Sequence, residues 1–253
     1  MRDPRSILIT GASSGIGAAL AKAYAAPGVH LALSGRDPAR LGAVGALCRA
    51  AGAQVEEAVI DVTDRVAMEA WLTTLDERQP LDLVIANAGI SAGTAAGWER
   101  PEQARAIFAV NLQGTLNTVL PLLAAMGKRA SGQIALMSSL ASFRGFPGAP
   151  AYCASKAAVR IWGEALRGDL WEAGIGVTVI CPGYVVSPMT ARNRFYMPLL
   201  METDRAARII KRGLASGRAR IAFPWPIYVG VWLLGLLPPA LSDPLLRRLP
   251  KKG

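Results

Sequence analysis

The chain has 253 residues, of which 52% are hydrophobic and 18% are charged, a composition that predicts one large core and excludes an intrinsically disordered chain. Its formal net charge is +10, but the basic residues are spread along the chain without a known nucleic-acid motif, so nucleic-acid binding is not expected. A single histidine, His30, and scattered cysteines at Cys48, Cys153 and Cys181 form no metal-ligand pattern and no Ser-His-Asp triad. We therefore expect reduced, structural thiols and no metal site.

The predicted elements alternate between strand and helix along the chain. Short β-rich runs predict strands at Ser6–Thr10, Val29–Ser34, Val55–Ile60, Leu81–Ala86, Gln133–Ser138 and Gly176–Ile180. Ala-rich stretches between them predict helices at Ile16–Ala26, Pro38–Ala51, Pro101–Met126 and Pro150–Trp171, and a further helix at Thr203–Ala215 precedes a seventh strand near Ala219–Phe223. Unbroken apolar strands separated by helices are typical of a parallel sheet that is covered on both faces. The sequence predicts an α/β fold, a single Rossmann-like doubly wound parallel sheet of about seven strands with helices on both faces.

The two ends of the chain differ in character. The first residues, Met1 to Ser6, are charged and precede only a short apolar run, so we expect no signal peptide and a cytoplasmic location. Residues 1–223, which contain all the predicted strands, are predicted to form one Rossmann-like domain. Residues 224–253 are predicted to form an apolar extension with a basic tail that is not an independent domain.

A glycine-rich turn follows the first predicted strand, where residues 10–17 read TGASSGIG and lead into an Ala-rich helix. Glycines at these positions allow a sharp turn, close approach of a pyrophosphate and tight helix packing, while the helix N-terminus offers unpaired N–H donors. The pattern predicts a dinucleotide site. The residues predicted to contact the cofactor here are Gly11, Ser13, Ser14, Gly15, Ile16 and Gly17.

The end of the second predicted strand bears on the choice of cofactor. An acidic residue there would accept hydrogen bonds from a ribose 2′-hydroxyl, whereas Arg36 can pair with a 2′-phosphate, and Gly35 supplies no carboxylate. NADP is therefore favoured over NAD. The alternative is that Arg36 is an ordinary solvated residue.

Tyr152 and Lys156 form a YxxxK pair, and a spacing of four places both side chains on one face of a helix. A tyrosine with a pKa of about 10 is a poor base at neutral pH, but a nearby ammonium and a nicotinamide cation favour its phenolate. Tyr152 can then exchange a proton with a substrate oxygen while the cofactor exchanges a hydride. A YxxxK pair also occurs by chance in structural helices.

The TGxxxGxG spacing resembles the cofactor motif of the short-chain dehydrogenases/reductases, and the resemblance extends over positions 6 to about 187. Asn87-Ala88-Gly89 matches the NAG element of that family, with Ala86 in place of its commoner first Asn. By the same resemblance, Asp61-Val62 holds the adenine ring, and Pro182-Gly183 with Val185 and Ser187 lies beside the nicotinamide. Ser187 stands where the family usually has threonine.

The same resemblance implies a catalytic tetrad of Asn111, Ser139, Tyr152 and Lys156. Ser139, thirteen residues before Tyr152, would position the substrate oxygen, although its neighbour Ser138 is a rival for that role. Tyr152 and Lys156 would also contact the cofactor, Lys156 through a hydrogen bond to the nicotinamide ribose. Asn111 would hold a water that links Lys156 to solvent. Relatives are commonly dimers or tetramers, so a homodimer or homotetramer is expected.

The family pattern fades after the sixth predicted strand. Residues from about Tyr184 to Glu202 are expected to form a loop that covers the substrate, and this loop mixes charged with bulky apolar residues: Arg192, Arg194, Phe195, Tyr196 and Met197. The loop does not identify a substrate.

The C-terminal extension has an apolar run of eleven residues, 227–237, between two prolines, whereas spanning a bilayer takes roughly 20. The run is followed by Arg247, Arg248, Lys251 and Lys252. Three interpretations of this segment remain open. It contacts a membrane surface, with the protein peripheral on the inner face of the membrane; it packs on a partner subunit or covers the substrate pocket; or it is plain intramolecular core. All three favour an apolar substrate.

The sequence therefore predicts an NADP-dependent oxidoreductase that acts on a carbonyl or secondary alcohol substrate, of steroid, retinoid or fatty-chain type. Residues 1–223 would form its NADP-binding and catalytic domain. The alternatives are a catalytically silent dinucleotide-binding sensor or membrane-associated scaffold, and an epimerase or dehydratase on the same fold.

Overall fold

A computed structural model describes residues 3–94, 97–193 and 195–247. Seven parallel strands form one sheet in the order β3-β2-β1-β4-β5-β6-β7. The strands are β1 Ser6–Thr10, β2 His30–Gly35, β3 Gln54–Val59, β4 Leu83–Ala86, β5 Gly132–Met137, β6 Ile175–Pro182 and β7 Arg220–Phe223. The predicted fold class is confirmed, and the strand boundaries differ from the predicted ones by one or two residues.

The helices are α1 Gly15–Tyr24, α2 Pro38–Ala50, α3 Arg65–Arg78, α4 Pro101–Phe108, α5 Gly114–Arg129, α6 Pro150–Asp169, α7 Thr203–Ala215, α8 Trp225–Leu236 and α9 Pro239–Leu246. Side chains from α1, α2 and α7 pack on one face of the sheet. Side chains from α3, α5 and α6 pack on the other. Successive side chains of β1 point to opposite faces of the sheet, so Ile7 and Ile9 belong to the core on the first face and Leu8 to the core on the second.

The segment predicted as one helix, Pro101–Met126, consists of two α-helices joined by a turn of different pitch. A π-helical turn, Ala109–Gln113, joins α4 to α5 and carries Asn111. Such turns are rare and occur frequently at functional sites. Within the described residues, Pro101–Arg129 is the one helix long and apolar enough to cross a membrane, but its residues Val119, Leu122 and Met126 lie in the core beneath the sheet.

The C-terminal extension forms α8 and α9. Ile227, Tyr228 and Val231 of α8 pack against a small cluster next to β6 and β7, yet no residue of α8 is fully buried. The interpretation of this run as plain intramolecular core is therefore wrong. Arg194 in the predicted substrate loop, and Arg248, Lys251 and Lys252 in the basic tail, lie outside the described residues.

The three cysteines are free thiols and all are buried, as expected for structural cysteines. His30 begins β2 and is partly buried. No group of three metal-ligating side chains occurs among residues 3–94, 97–193 and 195–247.

Candidate active site

A cavity of about 860 Å³ lies at the carboxyl ends of the strands. It is centred on the neighbouring strands β1 and β4, where the strand order reverses and where open parallel sheets bind their ligands. Gly17 and Asn111 are the predicted site residues that do not line it. Those that do are Gly11, Ser13, Ser14, Gly15, Ile16, Arg36, Asp61, Val62, Asn87, Ala88, Gly89, Ser139, Tyr152, Lys156, Pro182, Gly183, Val185 and Ser187.

Hydrogen bonds join the glycine-rich turn to the NAG element. The Thr10 hydroxyl oxygen accepts from the backbone N–H groups of Asn87, at 3.1 Å, and Ala88, at 3.2 Å. The Asn87 amide donates in return to the carbonyl oxygen of Thr10 at 2.9 Å. Gly11 has a φ of +65°, and a Cβ there would lie 2.8 Å from the Cα of Ala88. Only glycine fits this contact, so the two segments form one rigid floor for the cavity.

The first turn of α1 offers unsatisfied donors to the cavity. Ser14 is the N-cap residue, but its side chain accepts no hydrogen bond from the first N–H groups of α1. The cap therefore leaves these donors available to a ligand. An anion such as a pyrophosphate fits this position. Gly17 lies behind the turn, where a Cβ would approach the Gly11 carbonyl oxygen to 2.3 Å. Gly17 therefore allows close packing of α1 and does not face the cavity.

Arg36 and Asp61 face each other at the end of the cavity beyond β2, with Arg36 Nη1 3.7 Å from Asp61 Oδ2. Burial acts to raise the pKa of Asp61, but hydrogen bonds from Thr63 and the charge of Arg36 outweigh it, so this pKa lies below its usual value. Arg40 also lines this end and pairs with Asp37 at 2.6 Å. The sequence analysis missed Arg40, a second basic residue shortly after Arg36 in the chain.

Ser139 and Tyr152 meet at the cavity wall. Burial raises the pKa of Tyr152, and a hydrogen bond with the Ser139 hydroxyl acts in the opposite direction. The Ser139 oxygen also accepts from the backbone N–H of Ala141 at 3.1 Å. Ser138 is engaged elsewhere, because its hydroxyl donates to the carbonyl oxygen of Lys156 at 2.8 Å. The geometry therefore brings Ser139, and not its rival Ser138, to the tyrosine.

Lys156 lies one helical turn beyond Tyr152 with 3% of its surface exposed. Its ammonium donates to the carbonyl oxygen of Met137 at 2.8 Å. Burial lowers the pKa of Lys156 to about 8. Gly89 makes room for it, since a Cβ at that position would lie 3.1 Å from Lys156 Nζ. The lysine is thus held at the junction of α6, β5 and the NAG element.

The lowered pKa of Lys156 predicts a pH-dependent stability in the cofactor-free protein. Below pH about 8, Lys156 is protonated in both the folded and the unfolded protein, and its buried charge destabilises the folded state. Between pH about 8 and 10.5 only the unfolded protein binds this proton, so the free energy of unfolding rises with pH. Lys156→Met should therefore be more stable than wild type at neutral pH, by about 3 kcal/mol. Urea unfolding at neutral and at alkaline pH measures the difference, which should shrink towards zero as the pH approaches 10.5.

The exposed Lys128 provides the matched control for this comparison. Lys128→Met should change the free energy of unfolding little at either pH. A stability difference between Lys156→Met and wild type that is the same at both pH values would show that burial of the charge is not its cause.

Asn111 is fully buried and braces the floor of the site. Its side-chain oxygen accepts from the N–H of Ile90 at 2.8 Å, and its amide donates to the Ile90 carbonyl at 3.0 Å. The same amide donates to the Ser155 hydroxyl at 3.0 Å. Asn111 therefore joins the π-helical turn to α6 and to the segment after the NAG element. The expected water link to Lys156 stays a prediction.

The part of the cavity beyond Tyr152 is largely apolar and aromatic. Tyr184 and Phe195 make an edge-to-face contact with ring centroids 6.0 Å apart. Further lining side chains come from Leu140, Phe146, Met189, Ile227 and Val231. The last two belong to α8, so the C-terminal extension covers part of the pocket, as one interpretation proposed. The sequence analysis expected the loop that holds Tyr184 and Phe195 to lie here, but it did not identify Leu140 and Phe146, which come from a segment distant in the chain.

Comparison with known proteins agrees with this geometry. The family model described as short chain dehydrogenase matches residues 5–195. The chain belongs to the short-chain dehydrogenase family. The resemblance inferred from the sequence motifs is thereby confirmed. Among curated relatives, this short-chain dehydrogenase is 42% identical over 246 residues to an uncharacterized oxidoreductase from Myxococcus xanthus, a match that covers 97% of each chain. The chain is thus an oxidoreductase.

Two solved structures illustrate the similarity across the whole of this short-chain dehydrogenase. A short-chain dehydrogenase from Sphingobium yanoikuyae in complex with NADPH is 26% identical with a TM-score of 0.81, and the match covers 97% of this chain and 96% of that one. A family member from Burkholderia phymatum in complex with NAD is 25% identical with a TM-score of 0.83, covering 100% and 98%. Both comparisons extend beyond β7 into the C-terminal extension.

Proposed function

We propose that this short-chain dehydrogenase is an NADP-dependent oxidoreductase that transfers a hydride between the nicotinamide and an apolar carbonyl or secondary alcohol compound. The placement of Ser139, Tyr152 and Lys156 together along the wall of one cavity carries this proposal. Two hydroxyl groups that meet beside an apolar cavity can hold one substrate oxygen between them. Lys156 supplies a cation on the same helix.

The residues of the chain handle the oxygen and its proton. The bound nicotinamide supplies or accepts the hydride. During reduction, the Tyr152 hydroxyl transfers its proton to the substrate oxygen as negative charge develops there, and it is left as phenolate. Because the site is buried, that phenolate requires stabilisation, which the Ser139 hydrogen bond and the Lys156 charge provide. Oxidation reverses these steps.

The preference for NADP rests on Arg36 and Arg40, which line the cavity where the adenosine ribose would lie. Gly35 precedes Arg36, so the end of β2 itself carries no carboxylate to repel a 2′-phosphate. The two carboxylates nearby, Asp61 and Asp37, are paired with Arg36 and Arg40. A Cβ at position 35 would also lie 3.2 Å from the Ser13 side chain, so this turn is narrow. The solved neighbours hold NADPH in one case and NAD in another, so these local residues carry the choice.

Arg36→Glu should reverse the cofactor preference. The substitution removes the charge-assisted hydrogen bonds to the 2′-phosphate and adds repulsion, so NADPH affinity should fall about 10–100-fold while NADH affinity does not fall. Cofactor titration followed by NAD(P)H fluorescence measures both. Arg208→Glu makes the same charge change at an exposed position on α7 and should leave both affinities unchanged. Equal losses for the two cofactors would contradict the assignment.

The proposed activity is tested with NADPH and a panel of carbonyl compounds that ranges from short soluble ketones to decanal and steroid ketones. Oxidation of NADPH, followed by the absorbance of the reduced nicotinamide at about 340 nm, should be faster with the apolar members of the panel. Tight binding of NADPH without turnover of any carbonyl would favour the silent sensor instead.

A further inference from the structure

Helices α8 and α9 present an apolar surface to solvent, which we call the apolar C-terminal face. Two tryptophans stand out in it, Trp225 with 73% and Trp232 with 44% of their surface exposed. Such a large exposed apolar patch marks a site of interaction. The other exposed members of the face are Val229, Leu233, Leu236, Leu237, Leu241 and Leu245.

The opposite side of α8 is fixed to the active-site wall. Tyr228 packs edge-to-face on Phe143 with ring centroids 5.4 Å apart, and its hydroxyl accepts from Arg220 at 3.2 Å. Gly235 allows close approach, since a Cβ there would lie 2.6 Å from the Phe143 carbonyl oxygen. Ile227 and Val231 line the cavity from this side. One helix therefore contributes to the active site on one side and to the exposed face on the other.

The charge pattern indicates what covers this face. Between residues 224 and 246 Asp243 is the one charged residue, and Arg144 pairs with it at 3.4 Å. Four cations follow directly in the sequence: Arg247, Arg248, Lys251 and Lys252. Exposed tryptophans and leucines next to a basic segment are complementary to a membrane surface with anionic headgroups.

The length of α8 determines how it would meet a bilayer. Its 12 residues extend about 18 Å at 1.5 Å per residue, whereas the hydrocarbon core of a bilayer is about 30 Å thick. The helix is too short to cross. A second copy of the chain is a poorer partner, because a segment with four cations and one paired acidic residue has no charge complementary to its own.

We propose that the apolar C-terminal face docks on an anionic membrane surface and that the cavity takes its apolar carbonyl substrate from the lipid. The docking stands on its own, whereas the substrate route rests on the proposed function. Tyr196 in the covering loop also lines the cavity and is 85% exposed, so the loop adds an aromatic side chain at the cavity mouth.

Flotation of the full chain with lipid vesicles tests the docking without any requirement for turnover. The protein should float with vesicles that contain phosphatidylglycerol and remain behind with phosphatidylcholine alone. Trp225→Gln combined with Trp232→Gln should lower vesicle affinity at least about tenfold, because both side chains lose their apolar contact. Neutralising Lys251 and Lys252 should lower it roughly fivefold for each charge.

Trp171→Gln is the matched control, because Trp171 is 71% exposed beyond the far end of α6, outside the apolar C-terminal face. This variant should float like wild type. If wild type does not float with phosphatidylglycerol vesicles, the docking is wrong. If size-exclusion chromatography instead shows a dimer that the double tryptophan variant dissociates, a second copy covers the face.

Reduction of decanal embedded in the same vesicles tests the route from the lipid. The double tryptophan variant should lose turnover of vesicle-borne decanal while it retains turnover of a short soluble ketone. Equal turnover of vesicle-borne decanal by the variant and by wild type would overturn the route. Wild type that floats but reduces no carbonyl would leave the docking in place and contradict the proposed function alone.

Discussion

Tyr152→Phe should lower kcat by about 10²–10⁴-fold, the range that general acid–base catalysis contributes. The substitution removes only the hydroxyl that meets Ser139 and leaves the ring in place at the cavity wall. Since the lost group acts on the proton that moves in the transition state, the effect should appear in kcat and not in the affinity for cofactor. Single-turnover oxidation of NADPH measures the chemical step directly.

Titration of the same variant with NADPH provides the control, because its cofactor affinity should match that of wild type. Tyr184→Phe offers a second comparison, since Tyr184 also lines the cavity but its ring contacts Phe195. We expect Tyr184→Phe to retain most of the activity. Turnover by Tyr152→Phe at the rate of wild type would refute the proposed mechanism.

Gly17→Ala should destabilise the protein by about 3 kcal/mol or more, at the upper end of the overpacking range. The added Cβ would approach the Gly11 carbonyl oxygen to 2.3 Å and the Asn87 amide nitrogen to 2.6 Å. Neither atom can move freely, because the Asn87 amide is hydrogen-bonded to the Thr10 carbonyl oxygen and Gly11 holds the positive φ of the turn. Relief of the clash would displace the floor of the cofactor cavity, so NADPH affinity should fall together with stability. Urea unfolding and cofactor titration measure the two losses.

Gly127→Ala is the matched control, because Gly127 also lies within a helix but has no atom within 4 Å of an added Cβ. This change should be neutral or stabilise the protein by up to about 1 kcal/mol, since alanine favours helix. If Gly17→Ala unfolds at the same urea concentration as wild type, the packing role of Gly17 is wrong.

Much of the fold follows from local sequence. Strands such as β1 read as unbroken apolar runs, because a central parallel strand is buried on both faces. The predicted helices between them follow Ala-rich stretches and have boundaries close to the observed ones. Helix α3, which is not Ala-rich, was not among the predicted helices. The glycine-rich turn and the YxxxK spacing were readable for the same reason: each depends on backbone geometry within a few residues.

The sequence by itself therefore determined the α/β class, the nucleotide-binding turn, the pairing of Tyr152 with Lys156 and the basic residue Arg36. Only the tertiary structure decided which serine meets the tyrosine, because successive side chains in extended chain point to opposite sides and Ser138 turns towards α6. It also placed Gly17 and Asn111 behind the cavity, where they brace segments distant in sequence. The dual role of α8 depends on contact with Phe143, about 85 residues earlier along the chain, and no local pattern encodes such a contact.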